Sequence, residues 1–284
     1  MIISNKSTPY FMSTDYGELF VLHYKPVVIT DKYPNKLEKK QAILYIPAFA
    51  EEMNKARRMV AMQAQAFCKS GYSVLVLDLF GTGDSQGDFS DATWAMWLSN
   101  IESAINWLRN EGVESVSLWG LRIGALLAMD FLQYHPEIKI DRLICWQPVL
   151  KGEIFALQFL RLRVASAMMD KNAPQEKVSD LKRLLETGTT IEVAGYGLNP
   201  QLMVPMMALQ ARQLNLSNMI ECNVFELVSG GAQQASHATR QWVEDMRQSG
   251  LEMTLDTVVG SNFWATQEIA EVPELINTTV RRLN

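Results

Sequence analysis

The stretch "SLWGLRIGALLA", residues 117–128, limits what this chain can fold into more than any other segment. An apolar run enters a turn with glycine at positions 120 and 124, and a helix of small residues leaves it. Glycines on either side of one central residue let a helix lie tightly against the strand before it. A strand, a sharp turn and a helix in that order belong to a sheet whose parallel strands are joined by helices. The residue at the centre of the turn is Arg122.

The same rhythm runs through most of the chain. "ELFVLHYKPV" alternates as an early antiparallel strand does. "QAILYIPAF" is a short continuous apolar run of the buried parallel kind, and helical spacing follows from Met53 to Ser70, stopping at Gly71. "YSVLVLDLF" predicts a strand, and "DATWAMWLSNIESAINWLRNEG" predicts a helix capped by Asp91 and ended by Gly112. Arg122 to Tyr134 is expected to be helical, with "DRLICWQPV" as the next strand. "CNVFELVSG", "QASHATRQWVEDMRQSG", "EMTLDTVVG" and "FWATQEIAEVPELINTTVRRL" continue the strand–helix alternation to the end. The predicted fold class is α/β, a mostly parallel eight-stranded sheet flanked by helices.

Residues 151–217 break the rhythm, with helical stretches around an extended "TTIEVAGYG". Their place after the sixth strand predicts a helical cap over the carboxyl ends of the strands, where open α/β sheets bind ligands. The alternative is an extra packing layer at the sheet edge. The expected division is a core of residues 1–150 and 218–284 and a cap of residues 151–217.

Composition narrows the function classes. A net charge of −5 lacks the basic surplus of a nucleic-acid binder. The one dense basic run, "KLEKK" at residues 36–40, predicts a solvated loop. No apolar segment approaches the ~18 residues of a membrane span. The first residues lack the basic-then-apolar order of a signal peptide. Cys68, Cys145 and Cys222 lie far apart inside apolar segments, which predicts buried free thiols in a cytoplasmic protein. The spacing of His, Cys and carboxylates matches no metal motif, and no cofactor is expected.

Three features, in the right order, resemble the α/β-hydrolase superfamily. One is the turn at Gly120–Gly124. Another is "DLFGTGDSQG", Asp78–Gly87, similar to the superfamily's D-x-x-G-x-G-x-S-x-G loop; the third is "YIPAFAEE", Tyr45–Glu52, at the place of its oxyanion loop. The resemblance implies a nucleophile at the turn, an acid after the seventh strand and a histidine after the eighth. This chain has Arg122 at the first place, Ser229-Gly230-Gly231-Ala232 at the second and Gly260-Ser261-Asn262-Phe263-Trp264 at the third. A guanidinium is always protonated, so Arg122 serves neither as nucleophile nor as general base. The expectation is a triad that is not in use. His23 falls in the amino-terminal hairpin and His135 just past a helix, whereas His237 lies nearer the site. Ser85 is expected to brace the Gly-rich loop, and Ser261 lies near the site without a base.

The turn would place Arg122 at the amino terminus of the next helix, where backbone amides make the field positive. A cation there is disfavoured by about 0.3–1 kcal/mol unless an anion answers it. Either Glu51 or Glu52, on the loop after the preceding strand, pairs with it, or a bound carboxylate or phosphate bridges it and the amides. The candidate catalytic residues are Arg122, Glu51 and Glu52. The candidate substrate-binding residues are Phe49, Leu121, Ile123, Phe263 and Trp264. Arg57 and Arg58 are expected on a solvated face.

The strings "PAFAEEMNKARRMV", "DLFGTGDSQGDFSDATWAMW", "LWGLRIGALLA" and "EVAGYGLNP" resemble a narrower bacterial family. It is the second of two hydrolase-like families associated with the exosortase A system, which sorts proteins and accompanies exopolysaccharide gene clusters. The resemblance implies that the arginine is a family feature and that the setting is the cell envelope; it supplies no reaction. Two functions stay open. In one, an enzyme works without the serine triad: Arg122 holds a small anionic or acyl substrate, Glu51 or Glu52 moves a proton, and amides near Ile123 stabilise developing charge. In the other, a binding or scaffold protein keeps the pocket and has lost the chemistry. The expected partners are that small-molecule ligand and a second copy of the chain or an envelope-system protein, with no nucleic acid and no membrane span.

Overall fold

Alternate residues of the central strands feed two separate cores. Ala42, Leu44 and Ile46 enter one and Ile43 and Tyr45 the other; Val116 and Leu118 are likewise opposed to Trp119 and Leu121. This two-residue period with no polar face is what buries a sheet between two helical layers. The structure is a computed structural model that describes residues 7–26, 40–169, 175–231 and 234–283. The expected solvated loop at 36–40 falls outside the described residues except for Lys40, as does Ala232.

In chain order the strands are β1 (Ser7–Thr14), β2 (Gly17–Tyr24), β3 (Gln41–Ile46), β4 (Ser73–Leu77), β5 (Ser115–Leu121), β6 (Ile140–Trp146), β7 (Ile191–Val193), β8 (Tyr196–Leu198), β9 (Met219–Val228) and β10 (Glu252–Val259). Eight of them form one sheet in the order β1-β2-β4-β3-β5-β6-β9-β10. β2 runs antiparallel to β1 and β4, and the remaining pairs are parallel. The predicted class is therefore the observed one, with β1 as a strand that the sequence reading did not name.

Helices α1 (Glu51–Lys69) and α8 (Pro273–Leu283) cover one face. Helices α2 (Trp94–Asn110), α3 (Ile123–Tyr134) and α7 (His237–Gln248) cover the other. Three expected boundaries move. α1 starts at Glu51, because acidic residues suit a first helical turn, so Glu51 and Glu52 sit on the helix and not on the loop before it. α2 is capped by Thr93, whose side chain accepts the Met96 N–H, and not by Asp91. The last helix forms only from Pro273, a residue suited to a helix start, so residues 263–272 are not helical.

Between β6 and β9 run α4 (Gly152–Met169), α5 (Val178–Glu186), the β7–β8 hairpin, α6 (Pro200–Ala208) and one 3-10 turn. Phe155 and Phe159 of α4 pack edge-on against Phe49, and Tyr196 packs against Phe89. Asn199 donates to the Ser90 carbonyl at 3.0 Å. These contacts seat the insertion on the loops that follow β3 and β4, at the carboxyl ends of the strands. Among the described residues, no helix is long and apolar enough to cross a membrane.

Candidate functional site

The turn after β5 has the tight geometry that its glycines predict. A Cβ on Gly120 would collide with the backbone of Ala125, and one on Gly124 with the carbonyls of Ile46 and Pro47. Arg122 takes φ 57° and ψ −118°, a conformation that costs a non-glycine residue about 1–3 kcal/mol. Tertiary hydrogen bonds hold it there. Its N–H donates to the Trp146 carbonyl at 2.9 Å, and its carbonyl accepts the Val149 N–H at 3.2 Å. Ala50, before α1, has a matching φ of 51° and ψ of −127°. Both helices begin without a side-chain cap, so two amino termini with unshielded amides meet at one place.

Glu52, in the first turn of α1, answers Arg122. Arg122 Nε donates to Glu52 Oε1 at 3.3 Å, with the two side chains 19% and 22% exposed. The guanidinium carbon lies 5.4 Å from the centre of the Trp264 ring and 5.8 Å from that of Phe155. The second carboxylate oxygen of Glu52 is buried with no partner among the described residues. Burial pushes the Glu52 carboxyl above the usual carboxylate range, and the charge and hydrogen bond of Arg122 pull against that rise. Glu51 turns away: its carboxylate accepts from Tyr196 Oη at 3.1 Å and Asn54 Nδ2 at 3.2 Å. Of the two glutamates, Glu52 is the one that reaches the arginine.

The pair does not close the site. Arg122 also borders a cavity of about 600 Å³ between α4 and α7, over the ends of β6 and β9. Val149, Leu150, Ile154 and Phe155 supply apolar walls, and Gln147, Gln158, Gln210 and Gln241 supply side-chain amides. Ser236 and His237 enter from the start of α7, so His237 reaches the cavity, whereas His23 bonds Ser73 on the far side and His135 stacks on Phe131. The other predicted residues do not border the cavity. Phe49, Leu121, Ile123 and Phe263 are buried in the two cores, and Trp264 reaches the site only through its ring beside Arg122. Ser261 does not border the cavity.

Sequence reading missed Glu226. It lies within β9, ahead of the turn where a carboxylate was sought, and it is buried at the cavity wall. It accepts the Ser236 N–H at 2.7 Å and the Ser236 hydroxyl at 3.3 Å. The available signal was a lone carboxylate inside the otherwise apolar "VFELV". Arg57 also departs from the solvated face expected of it. It bonds the buried Asp78 at 3.0 Å, while Arg58 pairs with Glu271. Ser85 is the expected brace: its hydroxyl donates to the Asp78 carbonyl at 2.6 Å and accepts the Phe20 N–H at 2.8 Å. Cys68, Cys145 and Cys222 are free and buried.

Comparison with solved structures agrees with this architecture. Est1E from Butyrivibrio proteoclasticus, in a structure with ferulic acid bound, superposes with a TM-score of 0.64 at 15% identity, covering 96% of this chain and 97% of that one. An α/β serine hydrolase homologue from Coxiella burnetii gives 0.57 at 13% identity over 98% of each chain. At these identities the likeness is one of fold. A thermostable monoacylglycerol lipase from Bacillus sp. (strain H-257) is 29% identical over 75 residues, which span 26% of this chain and 30% of the lipase. The family described as Serine aminopeptidase, S33 (Hydrolase_4) matches residues 38–214, well over half of the sequence. The chain therefore belongs to that hydrolase family of the α/β-hydrolase superfamily.

Proposed function

We propose that the pocket in front of Arg122 binds a small anionic or acyl ligand through the guanidinium, without a Ser-His-Asp triad. One observation carries this reading: the position that aims a side chain at the strand ends holds a cation that borders a cavity of about 600 Å³. Arg122 spends Nε on Glu52, and its terminal nitrogens have no partner among the described residues. A planar fork of donors suits a carboxylate or an acyl oxygen. Glu52, beside Arg122 and with its carboxyl raised by burial, is the group suited to move a proton.

In this reading residues 151–217 are the cap and the remainder the core, and the chain works in the cytoplasm with its thiols reduced. The finer setting is the exosortase A and exopolysaccharide system, supported by the resemblance of the four strings above. An envelope-system protein or a second copy of the chain is the macromolecular partner it takes. The second reading, a scaffold without chemistry, is favoured by the closure of Glu52 on Arg122 at 3.3 Å.

Benzoate binding and 4-nitrophenyl ester turnover test both readings. Arg122→Gln should weaken benzoate binding by roughly tenfold or more, the scale of a charge-assisted hydrogen bond. Unchanged binding would remove the anion pocket. An enzyme should lose its ester turnover in Arg122→Ser while the fold survives, and a scaffold has none to lose. A covalent fluorophosphonate adduct on a serine of the unmodified chain would contradict both.

A further inference from the structure

The walls of the Arg122 cavity carry more information than the arginine alone. Lys151, Arg122 and Arg212 face Glu226 and Asp245, a surplus of one positive charge. Arg212 is held by Asp245 at 2.9 Å, and Glu226 is held by Ser236. Glu52 stands behind Arg122 and repels a second negative charge. This balance suits a monoanion, a carboxylate in preference to a phosphate dianion.

Apart from His237 and the hydroxyls of Ser236 and Thr239, the remaining polar side chains on the walls are amides. Four glutamines border the cavity from four different segments: the half-buried Gln147 after β6 and the exposed Gln158 on α4, Gln210 after α6 and Gln241 on α7. The oxygen of Gln147 accepts the Leu227 N–H at 2.7 Å, which leaves its NH₂ group. Gln241 donates to Asp245 at 2.9 Å, which leaves its oxygen. Neither Gln158 nor Gln210 has a side-chain hydrogen bond among the described residues. An aliphatic chain would strip water from these amides and return no hydrogen bond. A hydroxylated ring returns several, and its C–H face can rest on Ile154 and Phe155.

We infer that the ligand class of this pocket is a polyhydroxylated monocarboxylate of the sugar-acid type, its carboxylate on Arg122 and its hydroxyls on the glutamine amides. This inference rests on the anion-pocket reading and goes beyond it by choosing the body of the ligand. Sodium D-glucuronate, D-glucose and sodium octanoate, titrated calorimetrically into the full chain at one ionic strength, form the test.

Glucuronate should bind about tenfold or more tighter than glucose or octanoate, the scale of one charge-assisted contact. Arg122→Gln should reduce glucuronate to the level of glucose. Gln158→Leu combined with Gln210→Leu should weaken glucuronate and leave octanoate unchanged or tighter. Octanoate binding tighter than glucuronate, and lost in Arg122→Gln, would overturn the sugar-acid inference while the anion pocket stands. Glucuronate and glucose bound equally and indifferently to Arg122→Gln would overturn both, as would no binding of any probe. The order of the three probes on the unmodified chain decides the matter even if a variant fails to fold.

Discussion

Replacing Arg122 by serine restores the residue type that the turn would suit in a serine hydrolase, yet here it should destabilise the protein. The change takes away the one charged partner of Glu52 among the described residues, a type of loss that costs about 3–5 kcal/mol for a fully buried pair. Both side chains are about one-fifth exposed, which lowers that cost, and removing a cation from the α3 amino terminus returns about 0.3–1 kcal/mol. Loss of the guanidinium beside Trp264 and Phe155 adds about 0.5–1 kcal/mol per ring. A net destabilisation of about 2 kcal/mol near pH 8 follows from these contributions.

The pH dependence is the sharper part. Without Arg122 the charge and hydrogen bond that oppose the burial of the Glu52 carboxyl are gone, so its folded pKa rises further. A carboxyl whose folded pKa exceeds its unfolded value penalises folding above the folded pKa and not below the unfolded one, about 4.3. The wild type carries the same penalty to a smaller degree. The stability gap between wild type and variant should therefore narrow as pH falls from 8 towards 4.5, and Glu52→Gln added to the variant should recover much of it at pH 8. Urea unfolding followed by tryptophan fluorescence measures the gap directly. A gap that is constant with pH, or no recovery in the double variant, would mean that the Glu52 charge is not what destabilises the variant.

Three further outcomes are expected. Phe49→Ala should cost about 3–5 kcal/mol in urea unfolding and speed proteolysis of residues 151–217, because Phe49 anchors Phe155 and Phe159 of the insertion. Arg57→Ala should cost about 2 kcal/mol by thermal unfolding at pH 7, since among the described residues it leaves the buried Asp78 carboxylate with only the Asp84 N–H. Burial raises the carboxyl of Asp130, which accepts Trp94 Nε1–H at 2.7 Å, so its penalty appears as pH rises through that raised value. The stability of Asp130→Asn relative to wild type should thus improve from pH 4 to pH 8 in paired denaturation curves.

The strand–helix alternation carried the sheet because buried parallel strands need continuous apolar runs, and β3, β4, β5 and β6 each have one, while β9 is interrupted by Glu221, Asn223 and Glu226. β1, "STPYFMST", was not legible: it is an edge strand with little burial, and its pairing with β2 supplies what its own pattern lacks. In the site, glycine spacing was enough to place Arg122, since a Cβ at 120 or 124 has no room. The choice between Glu51 and Glu52 depended on where α1 begins, and helix starts depend on tertiary packing as well as local pattern. Glu226 and the four glutamines stayed hidden because they meet only in three dimensions, from segments up to 94 positions apart between Gln147 and Gln241.

The most direct test of Arg122 as the anion-holding residue is a crystal structure with 4-iodobenzoate, located by the anomalous signal of its iodine. The carboxylate should lie within about 3 Å of the terminal nitrogens of Arg122, with the ring in the cavity between α4 and α7. An iodobenzoate bound elsewhere, or a cavity that stays empty at saturating ligand with Arg122 still closed on Glu52, would contradict it.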